Sequence, residues 1–427
     1  MQRIFYASIA VASLLAAPVT DLRAARRPRY GGVLRLEMRA AVTSLDPAEW
    51  PADPAAASAK EKLAGLVFET LVRLDDRGGF QPWLATAWTH DAARRRWIFT
   101  PRPNVVLHNG AAWEPGVLSA SDDQPIEEIL RTFSRPRSAI AVRTADGRLV
   151  GSGPFRVARW ESGVSATLAV HDSYWGPKPY LDGIEVRMGR SLRDQALDFD
   201  LGKSDVVEIS VADSRRIRQR GLRLSLTRPV ETLALVFDQS RRVAASMRQA
   251  LALSIDRVAI HNVILQREGE PTGALLPQWL SGYAFLFAPL RDLDRARELA
   301  GKPTPLVFSY DRTDPLIRAV ADRVAVNAAE AGLTLRAGEP GDLRLARLPI
   351  NAPDVALALS GLAAALRTPL PEGDLYSAEK SLLDGSSVIP LFHLPAIYQV
   401  AARVQDWQPG PGDRLRLEDV WLSGDRP

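Results

Sequence analysis

The chain contains no cysteine. That absence excludes disulfides, thiol nucleophiles, thiolate metal sites and iron–sulfur clusters. It also leaves no residue for lipid attachment, so an exported form is expected not to be a lipoprotein. Lysine is scarce, six residues against 48 arginines, and the arginines are spread along the chain. The net charge of +4 and the pI near 9.4 therefore reflect composition rather than a phosphate-binding face. No basic stripe interleaved with aromatics occurs, and nucleic acid is not an expected partner. The five histidines, His90, His108, His171, His261 and His393, include no two within five residues. A helical zinc motif is thereby excluded, and no metal site and no cofactor are expected. Beyond the first two dozen residues, no apolar run is long enough to cross a bilayer.

What is present reads as an ordinary globular balance, 46% hydrophobic and 24% charged over 427 residues. That length suits two or three domains, each with its own core. Residues 1–24 resemble a secretory signal: Arg3, an almost wholly apolar stretch from Ile4 to Val19, then small residues around Ala24. Cleavage is expected near Ala24 or Ala25, with an uncleaved anchor as the alternative because Leu22 is large. An exported chain without a lipid anchor belongs in a periplasm.

Val33, Leu34, Leu36 and Met38, with Arg35 and Glu37 between them, alternate as a strand does. Leu63 to Leu74 is expected to be helical, and Trp97 to Thr100 a short strand. Residues 114–150, rich in Ser, Asp, Pro and Arg, read as a linker or a worn-down subdomain. Strands return at Gly153–Val157 and Ile184–Met188. Leu233 to Phe237 is nearly all apolar, as a strand buried on both faces is. Met247, Ala250, Leu251 and Ser254 share one helical face. After the strand Leu306–Tyr310, Asp314 is a helix N-cap, Pro315 the first helical residue and Gly332 the stop. The pattern is α/β with more than one lobe.

Candidate chemistry does not assemble. Gly151-Ser152-Gly153 precedes a strand rather than a helix, so it fails as a phosphate loop. Ser377-Ala378-Glu379-Lys380 fits an S-x-x-K pattern without its partner motifs. Asp198-Phe199-Asp200 is too short for a calcium loop. No catalytic constellation emerges, and the chain is not expected to be an enzyme.

Several segments in order resemble the family 5 extracellular solute-binding proteins. They are Tyr30-Gly31-Gly32-Val33-Leu34-Arg35 with Ser44-Leu45-Asp46-Pro47, Phe68-Glu69-Thr70-Leu71-Val72, and Gln81 to Trp88. Further along come Trp97 to Gly110, Val150-Gly151-Ser152-Gly153-Pro154-Phe155, Tyr174-Trp175-Gly176-Pro177-Lys178-Pro179-Tyr180-Leu181-Asp182, Met247 to Arg257, and Val388 to His393. The resemblance implies an α/β, type II periplasmic-binding-protein fold, two lobes around a hinge with a reduced extra subdomain. Lobe I would span 25–235, with the subdomain at about 51–148, and return at 393–427; lobe II would span 236–392. It implies a monomer that captures a peptide or peptide-like small solute by cleft closure and delivers it to an ABC transporter membrane permease. A nickel or haem-type ligand, or a degenerate member acting as a sensor or interaction module, is the alternative. Ligand contacts are expected from Trp113, Trp279, Tyr283 and His393, which lie in or beside these blocks. The chain is shorter than typical members, and the stretches after Gly110 and between Leu335 and Tyr376 are the reduced ones.

Overall fold

A computed structural model describes residues 27–283, 286–301, 304–370 and 373–424. The expected signal segment, residues 1–24, lies outside the described residues. One mixed sheet of eleven strands runs through both lobes. Its order is Leu335–Ala337, Leu306–Ser309, Leu343–Pro349, Leu224–Phe237, Val388–Val400, Val206–Glu208, Val33–Glu37, Gly183–Arg187, Ser165–Val170 and Phe155–Glu161. The short strand Glu270–Pro271 pairs with Val388–Val400 off this path.

Two strands in the middle, Leu224–Phe237 and Val388–Val400, are long enough to belong to both lobes. At one end Val388–Val400 pairs with Val206–Glu208, beside Val33–Glu37. At the other end Leu224–Phe237 pairs with Leu343–Pro349. Between these ends the ladder is interrupted, with register shifts on either side of the facing pair Pro229 and Pro395. Proline donates no backbone hydrogen bond, so two facing prolines leave the ribbon weakly tied where it must bend.

Each lobe has its own core. The first gathers Leu34, Leu36, Leu63, Leu66, Phe155, Ile184 and Val186 around the helix Pro54–Val67. In the second, Leu233, Leu235 and Phe237 face one helical layer while Ala234 and Val236 face another. That two-sided burial is why the run Leu233–Phe237 carries no polar alternation. Arg257, buried, closes the Met247–Arg257 block by donating Nη2–H to the Pro390 carbonyl at 2.9 Å, which ties its helix to the long strand.

Two expectations are corrected. The helix does not run from Leu63 to Leu74: it ends at Val67, and Val72–Leu74 is a strand. Glu69 forms a bridge with Ile140 at the turn between them. The apolar run continued, but its partners changed from one core to another. Nor is 114–150 a linker. It supplies the strand Leu118–Ser121, the helix Ile126–Phe133 and a small hairpin. Ile126, Ile129, Leu130 and Phe133 pack into a small third core with Leu71, Val72, Phe99 and Trp113. Their spacing is helical, and the surrounding polar residues obscured it.

Four of the blocks that carry the family resemblance converge on one buried carboxylate, Glu69. Its Oε1 accepts from Trp83 Nε1–H and Tyr174 Oη–H, both at 2.9 Å. Its Oε2 accepts from Ser152 Oγ–H at 2.7 Å and Trp175 Nε1–H at 2.8 Å. Burial pushes the Glu69 carboxyl pKa up, against these four donors. Gly151 and Gly153 owe their identity to close approach rather than to permissive backbone angles. A Cβ on Gly153 would lie 2.7 Å from the Val67 carbonyl carbon, and neither glycine has positive φ.

Candidate functional site

The lobes meet across the hinge at Asp314. This residue caps the helix Pro315–Glu330, its Oδ1 accepting the N–H groups of Leu316 and Ile317 at 2.9 and 3.3 Å. Its Oδ2 accepts Arg39 Nη1–H of the first lobe at 2.6 Å and Arg347 Nη2–H of the second at 3.0 Å. Arg347 also donates Nη1–H to Glu231 of the hinge strand at 2.6 Å, and Arg39 gives its backbone N–H to Glu208 at 2.6 Å. Although burial opposes it, Arg347 and Arg39 hold the Asp314 carboxyl below the usual carboxylate range. A second bridge repeats the device. Arg131 of the small subdomain donates Nε–H and Nη2–H to Asp354 at 3.0 and 3.3 Å, and Asp354 caps the helix Val355–Leu366. In both bridges the acceptor is an N-cap aspartate of a second-lobe helix.

Beside the hinge lies a run of half-buried charges. Lys62, on the helix Pro54–Val67, pairs with Asp413 and donates to Tyr398 Oη at 3.1 Å. Tyr398 in turn bonds Asp413 at 2.8 Å and sits on the long strand opposite Glu208. Glu61 and Arg414 flank this trio, one residue from Lys62 and Asp413 respectively. Among the described residues neither side chain has a hydrogen-bond or ion-pair partner. Burial raises the Glu61 pKa to about 7, offset in part by Arg414, Lys62 and Arg137. Two open cavities of about 390 and 400 Å³ lie elsewhere, one lined by Ser309, Tyr310 and Arg312, the other by Arg102, Asn104 and Trp175.

Three of the four expected ligand residues lie in or against one segment, 272–283: Trp279 and Tyr283 belong to it, and His393 packs on it. Its backbone is held by Thr232 Oγ1–H donating to Leu275 O at 2.7 Å and by Glu379 Oε1, which accepts from Leu275 and Leu276 N–H at 2.7 and 3.0 Å. His393, only 1% exposed, donates Nε2–H to Ala274 O at 3.0 Å. Tyr283 donates its hydroxyl to Glu379 Oε2. Trp279, half-buried, donates Nε1–H to the Pro229 carbonyl at 2.8 Å, with the Arg228 guanidinium 5.7 Å from its ring centroid. Trp113 is not with them: it is buried in the core of the small subdomain. Ser377 and Lys380 form no nucleophile–base pair, since Ser377 Oγ–H bonds its own N-cap Asp374 at 2.7 Å and Lys380 pairs with Asp384 at 3.3 Å. Among the described residues no three His, Asp or Glu side chains are grouped to hold a metal ion, and no helix is long and apolar enough to cross a membrane.

The sequence reading missed Arg39, Arg347, Glu61 and Arg414. Asp314 and Asp354 could be found only as caps, because what bridges them comes from 275 and 223 residues away.

Two cores, a crossing hinge ribbon and charges that meet across it define the class of a two-lobed binding protein. Comparison with known proteins makes that specific. The pattern of the bacterial extracellular solute-binding proteins, family 5 Middle, matches residues 117–370, more than half the chain. The chain belongs to this family. The peptide transport periplasmic protein SapA of Salmonella typhimurium is 29% identical over 137 residues, covering 31% of this chain and 25% of SapA. The nickel-binding periplasmic protein of Escherichia coli is 20% identical over 338 residues, 62% of this chain and 64% of that protein. The matches to these curated relatives thus span from a quarter to just under two thirds of their lengths. Among solved structures, DppA from Helicobacter pylori in complex with the peptide STSA superposes with a TM-score of 0.76 at 17% identity, covering 92% of this chain and 98% of DppA. NikA from Brucella suis in complex with Fe(III)-EDTA superposes at 0.77 and 18%, covering 92% and 100%. The fold is that of the periplasmic binding proteins.

Proposed function

We propose that this protein is the periplasmic, soluble, monomeric capture component of an ABC importer. It takes a peptide or peptide-like solute into the cleft, closes on it, and presents the closed form to a membrane permease. Lobe I would be 25–235 with 393–427, lobe II 236–392, and the reduced subdomain about 51–148. The observation that carries this reading is the pairing of Arg39 and Asp314 across a ribbon weakened at Pro229 and Pro395. A ligand touching both lobes adds its differential contacts to that closed state, which is what a permease can recognise. Trp279 and Tyr283, only partly buried beside the hinge, are proposed to face the solute; His393 and Trp113 hold the walls behind. No catalytic step is required of any residue.

A chelated metal is the second reading. It is favoured by the longer match to the nickel-binding relative, and the lack of grouped metal ligands among the described residues suits a chelate better than a bare ion.

The test is a thermal-shift screen of the purified protein against di- to pentapeptides, nickel chelates and haem. A ligand at 100 times its Kd stabilises the native state by about 2.7 kcal/mol, which moves Tm by a few degrees in a chain of this size. A shift with one class supports capture and identifies the solute. A cooperative melt that no class moves overturns capture in favour of an interaction module that has lost transport.

A further inference from the structure

Arg102 follows the strand Arg96–Pro101 and is held in place without a carboxylate. Its backbone N–H donates to Leu84 O at 2.7 Å, and its Nε–H donates to the Trp83 carbonyl at 2.7 Å. The guanidinium carbon lies 4.1 Å from the Trp175 ring centroid, so the fork also rests on an aromatic face. Nη1 and Nη2 have no hydrogen-bond or ion-pair partner among the described residues. Other well-held guanidiniums differ: Arg35 closes on Asp205, Arg131 on Asp354, and Arg347 on Glu231 and Asp314. A guanidinium anchored through Nε and by stacking, with both terminal nitrogens free, is a preorganised fork for two anionic oxygens. The fork lines an open cavity of about 400 Å³, together with Pro103, Asn104, Ser173, Tyr174 and Trp175. Asn104 and Ser173 are exposed, and neither side chain is bonded among the described residues. Asn104 stands at φ 59°, a backbone conformation that asparagine tolerates better than most residues. No carboxylate lines the cavity. Glu69, behind it, is buried, and its oxygens already accept from Tyr174 and Trp175. Trp175 in turn meets Trp83 edge to face at 4.7 Å, and the Arg73 guanidinium lies 3.6 Å from the Trp83 ring centroid. A cation thus stands at each end of the aromatic pair, and both favour negative charge nearby.

We propose that this cavity is a second binding site, for an organic oxyanion: a carboxylate or phosphate group carried on an apolar body. Nη1 and Nη2 of Arg102 take two of its oxygens, and the Asn104 amide and Ser173 hydroxyl donate to it at the rim. The apolar body lies on the Tyr174 ring and the Pro103 pyrrolidine. A cation is repelled by Arg102, and a neutral molecule of the same shape leaves the fork without its charge-assisted bonds. Every lining residue falls between 102 and 175, and none belongs to the hinge strands or to the cores on either side of Leu233–Phe237. Filling the site therefore requires no movement of the hinge ribbon, and it is separate from solute capture between the lobes. Its two walls come from the turn after Arg96–Pro101 and from the segment 173–175, so an occupant also ties one to the other.

The experiment uses protein expressed from the full-length gene, titrated by calorimetry and by tryptophan emission with phenyl phosphate, benzoate, benzyl alcohol and benzylamine. The two anions are expected to bind and to change the emission, because Trp175 lines the site. The alcohol and the amine should bind at least tenfold more weakly. Arg102→Gln should weaken both anions at least tenfold, and Arg102→Lys, which keeps the charge but not the fork, should recover part of that loss. Because Arg102 also supports Trp83, N104A and S173A are measured beside it. These remove only exposed side chains, and each should weaken the anions about two- to fivefold with an unchanged far-UV spectrum. R193Q, at an exposed arginine on the helix Leu192–Asp200, should bind as the wild type does. Vesicles of phosphatidylglycerol identify the source. Arg102-dependent binding to them, displaced by phenyl phosphate, supports the site with a lipid head group as its anion, whereas anions bound without vesicles support a soluble acid. Benzyl alcohol binding as well as benzoate would overturn the site, and so would an equal loss in R193Q and R102Q. A loss in R102Q with N104A and S173A unchanged would also overturn it, leaving Arg102 a structural prop. If neither anion binds in any arm, the site falls, and the capture function stands or falls on its own screen.

Discussion

Arg39 and Asp314 meet at 2.6 Å although 275 residues separate them, and the contact joins the two lobes through the cap of a helix. Because Asp314 also holds Arg347, one carboxylate balances an arginine from each lobe. Arg39→Gln should therefore loosen closure without unfolding either lobe. The Arg39 side chain is 36% exposed, so water discounts the pair to about 0.5–1 kcal/mol. That changes the open-to-closed ratio roughly two- to fivefold. Small-angle scattering should report a larger radius of gyration for R39Q than for the wild type at low salt, with the difference shrinking in 1 M salt. Equal radii throughout would remove the latch.

Asp314→Asn should cost more. The amide can still cap the helix, but Arg347 is left with Glu231 alone in a poorly hydrated place. A loss of about 2–4 kcal/mol is expected in denaturant unfolding, since breaking a largely buried pair strands the remaining charge. A value indistinguishable from R39Q would show that the cap, and not the pairing with Arg347, is what Asp314 supplies.

Glu69→Gln replaces a four-fold acceptor by a group with one acceptor oxygen and two donors. Two of the four donors, from Trp83, Tyr174, Ser152 and Trp175, then face an N–H. About 2–4 kcal/mol of stability should be lost, with a change in tryptophan fluorescence because two of the donors are indoles. Unchanged emission together with unchanged stability would mean the hub is not what orders the small subdomain against the first lobe.

Two histidines predict acid sensitivity. Burial lowers His393 and His108 to about 4, each bonded to backbone groups that fit the neutral ring. Unfolded, each titrates near 6.5, so the unfolded state binds more protons between pH 6.5 and 4. Stability from this source is full above 6.5 and falls as the pH drops to 4, by at most about 3 kcal/mol per ring. H393Q, which can still donate to Ala274, should show a shallower fall in Tm over that window. A fall as steep as the wild type's would place the sensitivity elsewhere.

Glu61 has the opposite sign. Its folded pKa of about 7 exceeds the usual carboxyl value, so the folded state holds a proton that the unfolded chain has released. Stability from this source is present at pH 4.5 and declines as the pH rises to 7, by at most about 3 kcal/mol before solvent screening. The positive charges of Arg414, Lys62 and Arg137 offset the burial and set how far it declines. E61Q should therefore be more stable than the wild type at pH 8 and equal to it at pH 4.5. Parallel Tm curves would contradict the raised value.

Much of the scaffold was legible before folding. The helix after Asp314 starts and stops where its cap, its proline and Gly332 say it should, because those signals act within four residues. The run Leu233–Phe237 announced a strand covered on both faces. The helix Ile126–Phe133 was equally local but went unread, its apolar stripe diluted by Glu127, Glu128 and Arg131. The end of the first helix at Val67 could not be read locally, since its apolar run passes without a break from the first lobe's core into the subdomain's.

The sequence by itself determined the family, the α/β class and the residues that cap and terminate its helices, because short-range hydrogen bonding and the period of apolar residues are written in adjacent positions. Only the tertiary structure decided what those residues do for one another. It gathered Glu69, Trp83, Ser152, Tyr174 and Trp175 into one hub and made two helix caps into bridges between lobes. It also buried His393 and brought Lys62 of the first helix onto Asp413 near the C-terminus. Charge pairing and desolvation depend on distance in space, and residues 275 apart in the chain carry no local mark of where they will meet.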